Sequence, residues 1–439
     1  MVRRVYSTTD AFLQQREDLH ISLPYANNVS ILGAPYSIGD KTVSNRLVCQ
    51  AMEGCDGTAN GSPDVLTKRR YERFAKGGAG LLWFEATAVM EEGRANPRQL
   101  FINENNLDNF KREVDRIKKI GLKENGYEPI LIMQATHSGR YSKPNGIPAP
   151  LIAYNNPIFE KDNPISSDRI VTDDYIDLVK ENLIKGALLA EKAGFDGVDI
   201  KACHRYLNSE LLSAYQREGK YGGSLENRTR LLRESIIGAT QVCDKNFIIS
   251  SRLNVYDGFP YPYGFGVKTD GSLDFDPTEP IWLLEQLRSY GVKLLNISMG
   301  NPYFNPHVNR PFALGGYEPE EHPLTGVARM LNGIATLKKA VPEIAYISSG
   351  ISYLGVAAPN VTAGFIQENA FDFAGFGRTV FAYPDFANDI LKNGGMQKEK
   401  LCICCSKCTE LMRAGGTPGC IIKDKEVYAP LYKEFCTRK

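Results

Sequence analysis

The chain has 439 residues, of which 43% are hydrophobic and 23% charged, a composition typical of soluble globular proteins. Its 52 lysines and arginines nearly balance 51 aspartates and glutamates, so no basic excess indicates nucleic-acid binding. The N-terminus is polar and unlike a secretory signal, and no apolar run reaches the roughly 18 residues of a membrane span. We therefore expect a cytoplasmic protein that binds neither nucleic acid nor membrane.

Eight short apolar runs recur along the chain, and most of them begin after Gly or Pro and end on small or polar residues. Runs of this kind predict buried β-strands. The predicted strands cover residues 46–52, 80–86, 129–135, 195–201, 247–253, 292–298, 344–350 and 371–377.

Longer amphipathic stretches alternate with these runs and predict helices, the weakest of them between the last two strands at 352–370. The stronger helices cover residues 63–76, 106–120, 173–193, 225–242, 277–290, 325–340 and 384–391. Eight strand–helix units predict an α/β fold in which a parallel sheet closes into a (β/α)8 TIM barrel. A doubly wound open sheet is the alternative, but the sequence lacks the Gly-rich turn expected after its first strand.

Three long segments interrupt the alternation at residues 139–172, 256–275 and 300–322, each shortly after a predicted strand. In a barrel they lie on the C-terminal face, where the active site of this fold is found. They are rich in aromatic residues, and loops of this length in a compact domain are usually functional. We expect them to be active-site lids, and solvent-exposed loops with scattered rings are the alternative.

Polar residues gather where the predicted strands end. They are Gln134 with His137, Lys201 with His204 and Tyr206, Arg252, and the pair Gly377 and Arg378. A single His or Arg in such a place is more often structural. Because these residues come from separate strands and converge on one face of the barrel, together they predict an active site.

Five of the ten cysteines lie between positions 402 and 420, and this clustering favours metal ligation over a disulfide framework. Two residues separate Cys402 from Cys405 and Cys405 from Cys408, and Cys420 follows after 11 more. Four thiolates can bind one 4Fe–4S cluster, and zinc can use the same ligands. Cys404, between two of these cysteines, is the least suited of the five to bind.

Four segments, in the same order as in a known family, carry a specific resemblance. They are SNRLV at 44–48, QATHSGR at 134–140, the long match at 194–230 that contains YGGSLENR at 221–228, and AGFGRTVFAYPDFAN at 374–388. The chain thus resembles the old yellow enzyme or NADH:flavin oxidoreductase family over about residues 30–395. The resemblance implies a flavin-dependent oxidoreductase with FMN in the barrel mouth.

The resemblance also implies which residues hold FMN, and their chemistry agrees. The Gln134 amide can meet the donor and acceptor edge of the flavin pyrimidine. Arg252 would lie where negative charge develops on reduction, and a fixed cation there raises the electron affinity of the ring. The other implied residues are Ala51, Met52 and Ala86 along the ring system, and Gly350, Gly377 and Arg378 at the phosphate.

For catalysis, the family reduces an electron-poor C=C bond by hydride from reduced FMN and a proton from a tyrosine, which Tyr206 matches. His204 matches one of two residues that hold the substrate carbonyl. The other is normally His and is Lys201 here. The ammonium can bind the carbonyl or a substrate carboxylate, or instead pair with Asp199 or Glu85 and take no part. Tyr303 or His307 can complete the substrate clamp.

The cysteine array is similar to that of the iron–sulfur subgroup, which includes 2,4-dienoyl-CoA reductase and trimethylamine dehydrogenase, and the resemblance favours 4Fe–4S over zinc. It divides the chain into an FMN-binding barrel at 30–397 and a cysteine-rich 4Fe–4S segment with a C-terminal tail at 398–439. Those relatives continue into a dinucleotide-binding region after the array. We therefore expect an external electron donor, an NAD(P)H-dependent reductase or a ferredoxin, that delivers electrons to the cluster.

Three functions follow as hypotheses. The first is an ene-reductase (EC 1.3) acting on an activated, bulky and hydrophobic enone or enoate. The second is an amine dehydrogenase (EC 1.5) passing electrons out through the cluster, although its covalent flavin would need a cysteine where Glu53 or Gly54 stands. The third is a non-catalytic electron carrier or zinc-stabilised binding protein. The substrate is a small molecule, and whether the chain forms a homo-oligomer is left open.

Overall fold

The computed structural model describes residues 4–437. It contains a two-stranded antiparallel hairpin and eight parallel strands, and each of the eight falls within or overlaps a predicted strand. The hairpin is β1 (Tyr36–Ile38) and β2 (Lys41–Val43), and the parallel strands are β3 (Leu47–Cys49), β4 (Leu81–Ala88), β5 (Ile130–Thr136), β6 (Gly197–Ile200), β7 (Ile248–Asn254), β8 (Leu294–Ser298), β9 (Ala345–Ile347) and β10 (Ala374–Phe376).

The eight parallel strands form a nearly closed TIM barrel, as predicted. Their order in the sheet is β10-β3-β4-β5-β6-β7-β8-β9, so β10 pairs with β3 and each later strand with its successor. On the remaining side Ile347 forms a parallel bridge with Phe373, just before β10, and the Ser348 N–H donates to the Phe373 carbonyl at 2.9 Å. These contacts return the sheet to its starting strand.

Helices follow the strands as expected, with one predicted helix, 225–242, divided at Thr229. The helices are α1 (Thr9–Asp18), α2 (Val65–Lys76), α3 (Leu107–Asn125), α4 (Pro157–Glu160), α5 (Asp173–Lys192), α6 (Leu207–Leu211), α7 (Leu225–Arg228), α8 (Arg230–Val242), α9 (Thr278–Ser289), α10 (Pro306–Asn309), α11 (Pro323–Ala340), α12 (Ala358–Gln367), α13 (Arg378–Ala382), α14 (Phe386–Asn393), α15 (Lys407–Arg413) and α16 (Lys425–Tyr432). The weakly patterned crossover at 352–370 contains a 3-10 turn, Ile351–Ala357, and then α12.

Two hydrophobic clusters account for the alternation in the strands. In β4, Leu81 and Trp83 belong to the cluster inside the barrel, whereas Leu82 and Phe84 pack towards the surrounding helices. Successive side chains of a strand point to opposite faces, so a strand covered on both faces is apolar throughout. The hairpin residues Ile38 and Val43 also join the inner cluster and pack against the barrel interior.

The three predicted lids follow β5, β7 and β8 and meet through one aromatic ring from each. The ring of Phe159 lies 5.4 Å from that of Phe259 and 5.2 Å from that of Phe304, and the last two are 5.0 Å apart. All three pairs have edge-to-face geometry, the arrangement that aromatic quadrupoles favour. We call these rings the lid triad.

The cysteine segment, residues 398–437, packs on the barrel. Its Asp424 accepts hydrogen bonds from Arg69 at 2.7 Å and from Arg73, both on α2. On the other side the Ala313 and Leu314 N–H groups of the third lid donate to the Cys404 carbonyl, both at 3.2 Å. The segment therefore bridges a barrel helix and the third predicted lid. No helix in residues 4–437 is both long and apolar enough to span a bilayer.

Candidate active site

A cavity at the C-terminal ends of the strands, here called the mouth cavity, is partly open to solvent. Every residue that the sequence predicted for FMN binding or catalysis lines it. They are Ala51, Met52, Ala86, Gln134, Lys201, His204, Tyr206, Arg252, Gly350, Gly377 and Arg378. The roles of these residues stay predictions, but the barrel does bring the predicted set together.

Gln134 is oriented by a buried carboxylate beneath it. The Gln134 amide nitrogen donates to Asp199 Oδ2 at 2.6 Å, and Asp199 also accepts from Trp83 Nε1 at 2.7 Å and from the Arg252 backbone N–H at 2.6 Å. These three bonds fix Gln134 and the backbone of Arg252. They leave the Gln134 carbonyl and one amide hydrogen for a ligand such as the flavin pyrimidine.

Two buried guanidinium groups in the cavity wall have nitrogens without partners in the described part of the chain. They are Arg252 Nε and Arg378 Nη1, whereas Arg378 Nη2 donates to the Pro311 carbonyl at 2.6 Å. Because leaving a buried charged donor unpaired is costly, Arg378 Nη1 in particular indicates that an anionic or strongly accepting ligand belongs here.

The turn after β9 has the conformation and space that a phosphate site needs. Gly350 has a left-handed φ of 78°, which glycine adopts without strain. A Cβ placed on Gly377 would lie 3.7 Å from the Met52 sulfur, so backbone there stands close to the ring-lining residues. Together with the unpartnered Nη1 of Arg378, these features fit the phosphate of FMN.

The three catalytic candidates come from one sharp turn after β6. His204 and Arg205 both have left-handed backbone, with φ of 64° and 60°. Non-glycine residues adopt this conformation at a cost, and such residues concentrate at functional sites. The turn sends Lys201, His204 and Tyr206 into the mouth cavity, while Arg205 points away to Asp257, at 3.3 Å.

Lys201 makes no ion pair with either of the acids considered from the sequence. Asp199 is occupied by Gln134 and Trp83, and Glu85 pairs with Arg70 and accepts from the Gly54 N–H. Instead the Lys201 ammonium lies 3.7 Å from the ring centroid of Tyr206, a cation–π contact. Burial lowers the pKa of Lys201.

His204 is half-buried, and its buried Nε2 is unpartnered among the described residues. Burial, reinforced by the nearby Arg252 and Lys201 cations, lowers the pKa of His204 well below its usual value. This shift favours the neutral imidazole. A neutral ring can donate one N–H to a substrate oxygen without the cost of burying a third positive charge.

Two further residues complete the region around Tyr206. The Tyr206 hydroxyl lies 3.1 Å from that of Tyr303 and 3.4 Å from Glu53 Oε2, and both partners line the mouth cavity. Of the two clamp candidates, Tyr303 is therefore the one in the cavity, whereas His307 contacts Tyr317. Sequence reasoning noted Glu53 only as a position where a cysteine was missing, although its place directly after the first barrel strand was a signal.

Arg310 was also missed. It lies in the third lid, lines the mouth cavity and donates to Ser406 Oγ at 3.2 Å. Burial, together with the neighbouring Arg378, lowers the pKa of Arg310 to about 10. Its sequence signal was weak, because nothing in the lid distinguishes this arginine from a surface residue.

A second cavity, the cysteine cavity, is lined by all five clustered cysteines: Cys402, Cys404, Cys405, Cys408 and Cys420. Backbone N–H groups approach two of the sulfurs, since Cys404 N lies 3.4 Å from Cys402 Sγ and Lys423 N lies 3.3 Å from Cys420 Sγ. Hydrogen bonds of this kind stabilise and tune thiolate-bound iron–sulfur clusters.

The thiols do not close around a single ion. Within residues 4–437 no group of three or more His, Cys, Asp or Glu side chains has the geometry to hold one metal ion. A 4Fe–4S cube is larger than one ion, so a ring of thiols around a cavity is compatible with it. Cys404 lines the cysteine cavity together with the four predicted ligands, so its position in the cavity does not distinguish it from them.

The two cavities adjoin. Arg378, Phe381 and Cys408 line both of them. A group bound by the cysteines and a group bound in the mouth would therefore both lie against these three side chains.

Comparison with known proteins agrees with this architecture. The NADH:flavin oxidoreductase / NADH oxidase family model matches residues 32–263. An NADPH dehydrogenase of Geobacillus sp. (strain WCH70) is 31% identical over 277 residues, covering 62% of this chain and 73% of that relative. Another, from Listeria welshimeri, is 29% identical over 329 residues, covering 72% of this chain and 87% of the relative.

Many solved structures resemble the fold, and two of them illustrate the likeness. A 2-naphthoyl-CoA reductase in complex with 2-naphthoyl-CoA superposes with a TM-score of 0.73 at 21% identity, covering 93% of this chain and 58% of that one. Histamine dehydrogenase from Rhizobium sp. 4-9 gives a TM-score of 0.67 at 18% identity, covering 90% of this chain and 52% of that one. This chain thus spans little more than half the length of each.

The TIM barrel, the cavity at its mouth and these relatives together define a flavin-dependent oxidoreductase. The chain belongs to the NADH:flavin oxidoreductase / NADH oxidase family, and FMN is the cofactor that this membership supports. The resemblance found in the sequence is confirmed.

Proposed function

We propose that the protein is an FMN- and 4Fe–4S-dependent ene-reductase that reduces the C=C bond of an activated enone or enoate. The observation that carries the proposal is the mouth cavity itself. One part of its wall presents Lys201, His204 and Tyr206, and another presents Gln134, Arg252 and Arg378, whose free polar atoms fit FMN.

Gln134 and Arg252 would hold the flavin pyrimidine, and Arg378 with the backbone of Gly350 and Gly377 the phosphate. When bound and reduced, FMN supplies the hydride that goes to the substrate β-carbon. Lys201 and the neutral His204 hold the substrate carbonyl oxygen and stabilise its negative charge as the enolate forms. Tyr206 gives the proton to the α-carbon, which requires its hydroxyl to face that atom.

The cavity favours a flat, bulky substrate. The Tyr141 and Tyr303 rings stack at 3.8 Å between centroids and come from the first and third lids. Tyr303 lines the cavity together with Pro302 and Met412. Aromatic and thioether surface of this kind favours an apolar or aromatic acyl group over a small polar one.

Electrons would enter through the cysteine cavity. We assign the cluster ligands to Cys402, Cys405, Cys408 and Cys420. Cys408 supports a direct path, because it lines both cavities. The curated relatives are named NADPH dehydrogenases, so direct reduction by NADPH is the competing route. Turnover with NADPH alone, undiminished when the cysteine ligands are replaced, would rule out delivery through the cluster.

The test is an anaerobic screen in which dithionite-reduced enzyme is mixed with candidate alkenes and flavin reoxidation is followed by absorbance. We expect bulky enones, enoates or acyl thioesters to reoxidise the flavin, with one alkene reduced per flavin. Failure of every alkene, combined with reduction of the oxidised enzyme by an amine, would replace this proposal with an amine dehydrogenase. Release of free flavin when the protein is denatured is a second check, because the amine dehydrogenase alternative needs flavin bound covalently to a cysteine. We expect the flavin to be released, since the nearest cysteine in sequence, Cys55, is buried and is not among the described residues that line the mouth cavity.

A further inference from the structure

If Tyr206 donates a proton in each turnover, its hydroxyl must be reprotonated before the next one. Its side chain is 2% exposed, so bulk water does not reach it directly. Burial raises the pKa of Tyr206 well above its usual value, which makes the phenolate left after proton transfer costly. The proton must therefore be replaced promptly from a group inside the cavity.

Glu53 is the one carboxylic acid among the described residues that line the mouth cavity. Its Oε2 lies 3.4 Å from the Tyr206 hydroxyl, and its Oε1 is buried without a partner in the described chain. The residue as a whole is half-buried, so it is placed between the buried phenol and the open part of the cavity.

The backbone that carries Glu53 is held firmly. The Gly54 N–H donates to Glu85 Oε2 at 2.7 Å, and Arg70 pairs with both Glu85 and Asp56. A Cβ on residue 54 would lie 2.1 Å from Arg70 Nη1, so only glycine lets the guanidinium pack there. This buried network fixes the backbone next to Glu53.

From this geometry we infer that Glu53 is the proton store for Tyr206, a role that rests on the proposed ene-reduction. When the Tyr206 O–H bond breaks, its proton forms the new C–H bond at the substrate α-carbon. The Glu53 O–H bond then breaks, and its proton restores the Tyr206 hydroxyl. The Glu53 carboxylate regains a proton from water, and the hydride at the β-carbon comes with reduced FMN, so charge and electrons balance.

The charges around Glu53 suit this role. Burial raises the pKa of Glu53, which favours the protonated acid that a store requires, and the Lys201 ammonium is the main opposing influence. The other titratable groups that face it are Tyr206 and Arg70, which also lower its pKa, and Cys55 and Tyr303, whose own pKa values it raises. Tyr303, 3.1 Å from the Tyr206 oxygen, can stabilise the transient phenolate.

The experiment compares wild type, Glu53→Gln and Glu53→Ala holoenzymes. In Glu53→Gln, Tyr206 still carries its first proton, so a single turnover of dithionite-reduced enzyme should proceed at nearly the wild-type rate. With excess dithionite, later turnovers should slow by roughly 100-fold, the low end of what a general acid contributes. Tyrosinate absorbance should appear after the first turnover. In Glu53→Ala, formate or acetate in its acid form should restore multiple turnover.

A second measurement does not depend on any alkene. Infrared difference spectra of the oxidised holoenzyme, wild type minus Glu53→Gln, should contain the C=O stretch of a protonated carboxyl group at neutral pH, shifted in Tyr206→Phe. An ionised Glu53 overturns the inference, as does unslowed multiple turnover in Glu53→Gln or equal slowing of the first and later turnovers. If the wild-type enzyme reduces no alkene at all, the proposed ene-reduction is wrong, and the role of Glu53 as proton store is then wrong as well.

Discussion

The mouth cavity and the cysteine segment are built in opposite ways. In the mouth, the predicted cofactor-binding and catalytic side chains come from the ends of separate strands, and Gln134 and the Arg252 backbone are held by the same buried carboxylate, Asp199. In the cysteine segment, the four proposed ligands lie between positions 402 and 420, and the loop is tied to the third lid by backbone bonds to Cys404.

This difference has a physical consequence. A site assembled across a barrel is preorganised by the whole fold, so its shape exists before the cofactor binds. A site whose ligands lie within one short segment depends more on its metal group for its final shape. We therefore expect the two sites to be separable by mutation, except at the residues that line both cavities.

The largest effect should follow loss of the cluster. Replacing Cys405 with Ser removes one of four thiolates, so we expect loss of the iron–sulfur absorption and EPR signals and complete loss of turnover driven by a protein electron donor. FMN binding and a single turnover after dithionite reduction should remain. Cys404→Ser is the matched control, since we predict that this thiol is not a ligand. Loss of the cluster in Cys404→Ser, with retention in Cys405→Ser, would reverse the ligand assignment.

Next in size is the loss of the proton donor. Tyr206→Phe should lower the rate of flavin reoxidation by alkene by about 10²–10⁴-fold, the contribution of a positioned general acid. Iron content, FMN content and the reduction of flavin by dithionite should stay at wild-type levels, because the change lies on the mouth side only. Tyr303→Phe serves as control, since it removes a phenol 3.1 Å away without removing the donor. Equal losses in both variants would count against Tyr206 as the proton donor.

Arg378 tests the shared wall between the two cavities. Arg378→Gln removes a charge-assisted hydrogen bond worth about 1.5–3 kcal/mol, so FMN affinity should fall by roughly 10- to 100-fold. The midpoint potential of the cluster should also decrease, because a nearby cation is lost. Flavin fluorescence on dilution measures the first effect and EPR redox titration the second. Arg413→Gln, at the exposed rim of the same cavity, should change neither quantity by a comparable amount.

Much of this architecture could be predicted from the sequence, because its signals are local. The eight strands are covered on both faces and therefore appear as apolar runs. All of the strand-end residues from Gln134 to Arg378 except His137 line one cavity, because closure of a barrel brings such ends to one face. His137 instead lies 2.9 Å from the Tyr175 hydroxyl. The break in the predicted helix 225–242 at Thr229 could not be predicted, because the residues next to Thr229 contain no helix-terminating signal.

The features that escaped prediction depend on contacts between distant segments. The role of Glu53 emerges only from its distance to Tyr206, 153 positions away. The left-handed backbone at His204 and Arg205 is likewise imposed by the packing of the turn, because nothing in these two residue types requires it. The position of Arg310 in the site depends on its hydrogen bond to Ser406, and its lowered pKa depends partly on Arg378, and both of these residues belong to other parts of the chain.

The smallest predicted effect concerns what holds the lids closed. The lid triad links all three lids to one another, whereas the bonds from Ala313 and Leu314 to Cys404 link only the third lid to the cysteine segment. Phe304→Ala removes two of the three ring contacts. Since an aromatic pair contributes about 0.5–1.5 kcal/mol and Phe304 is 48% exposed, the expected loss is about 1 kcal/mol.

That loss should appear as faster limited proteolysis in all three lids and as a several-fold higher KM for a bulky alkene, with little change in kcat. Leu314→Ala is the matched control, because it shortens an exposed side chain of the same lid and keeps the backbone bond to Cys404. Faster cleavage confined to the third lid would mean that the cysteine segment, and not the lid triad, holds the lids. In that case loss of the cluster should also open the active site, and the two regions would be coupled instead of separable.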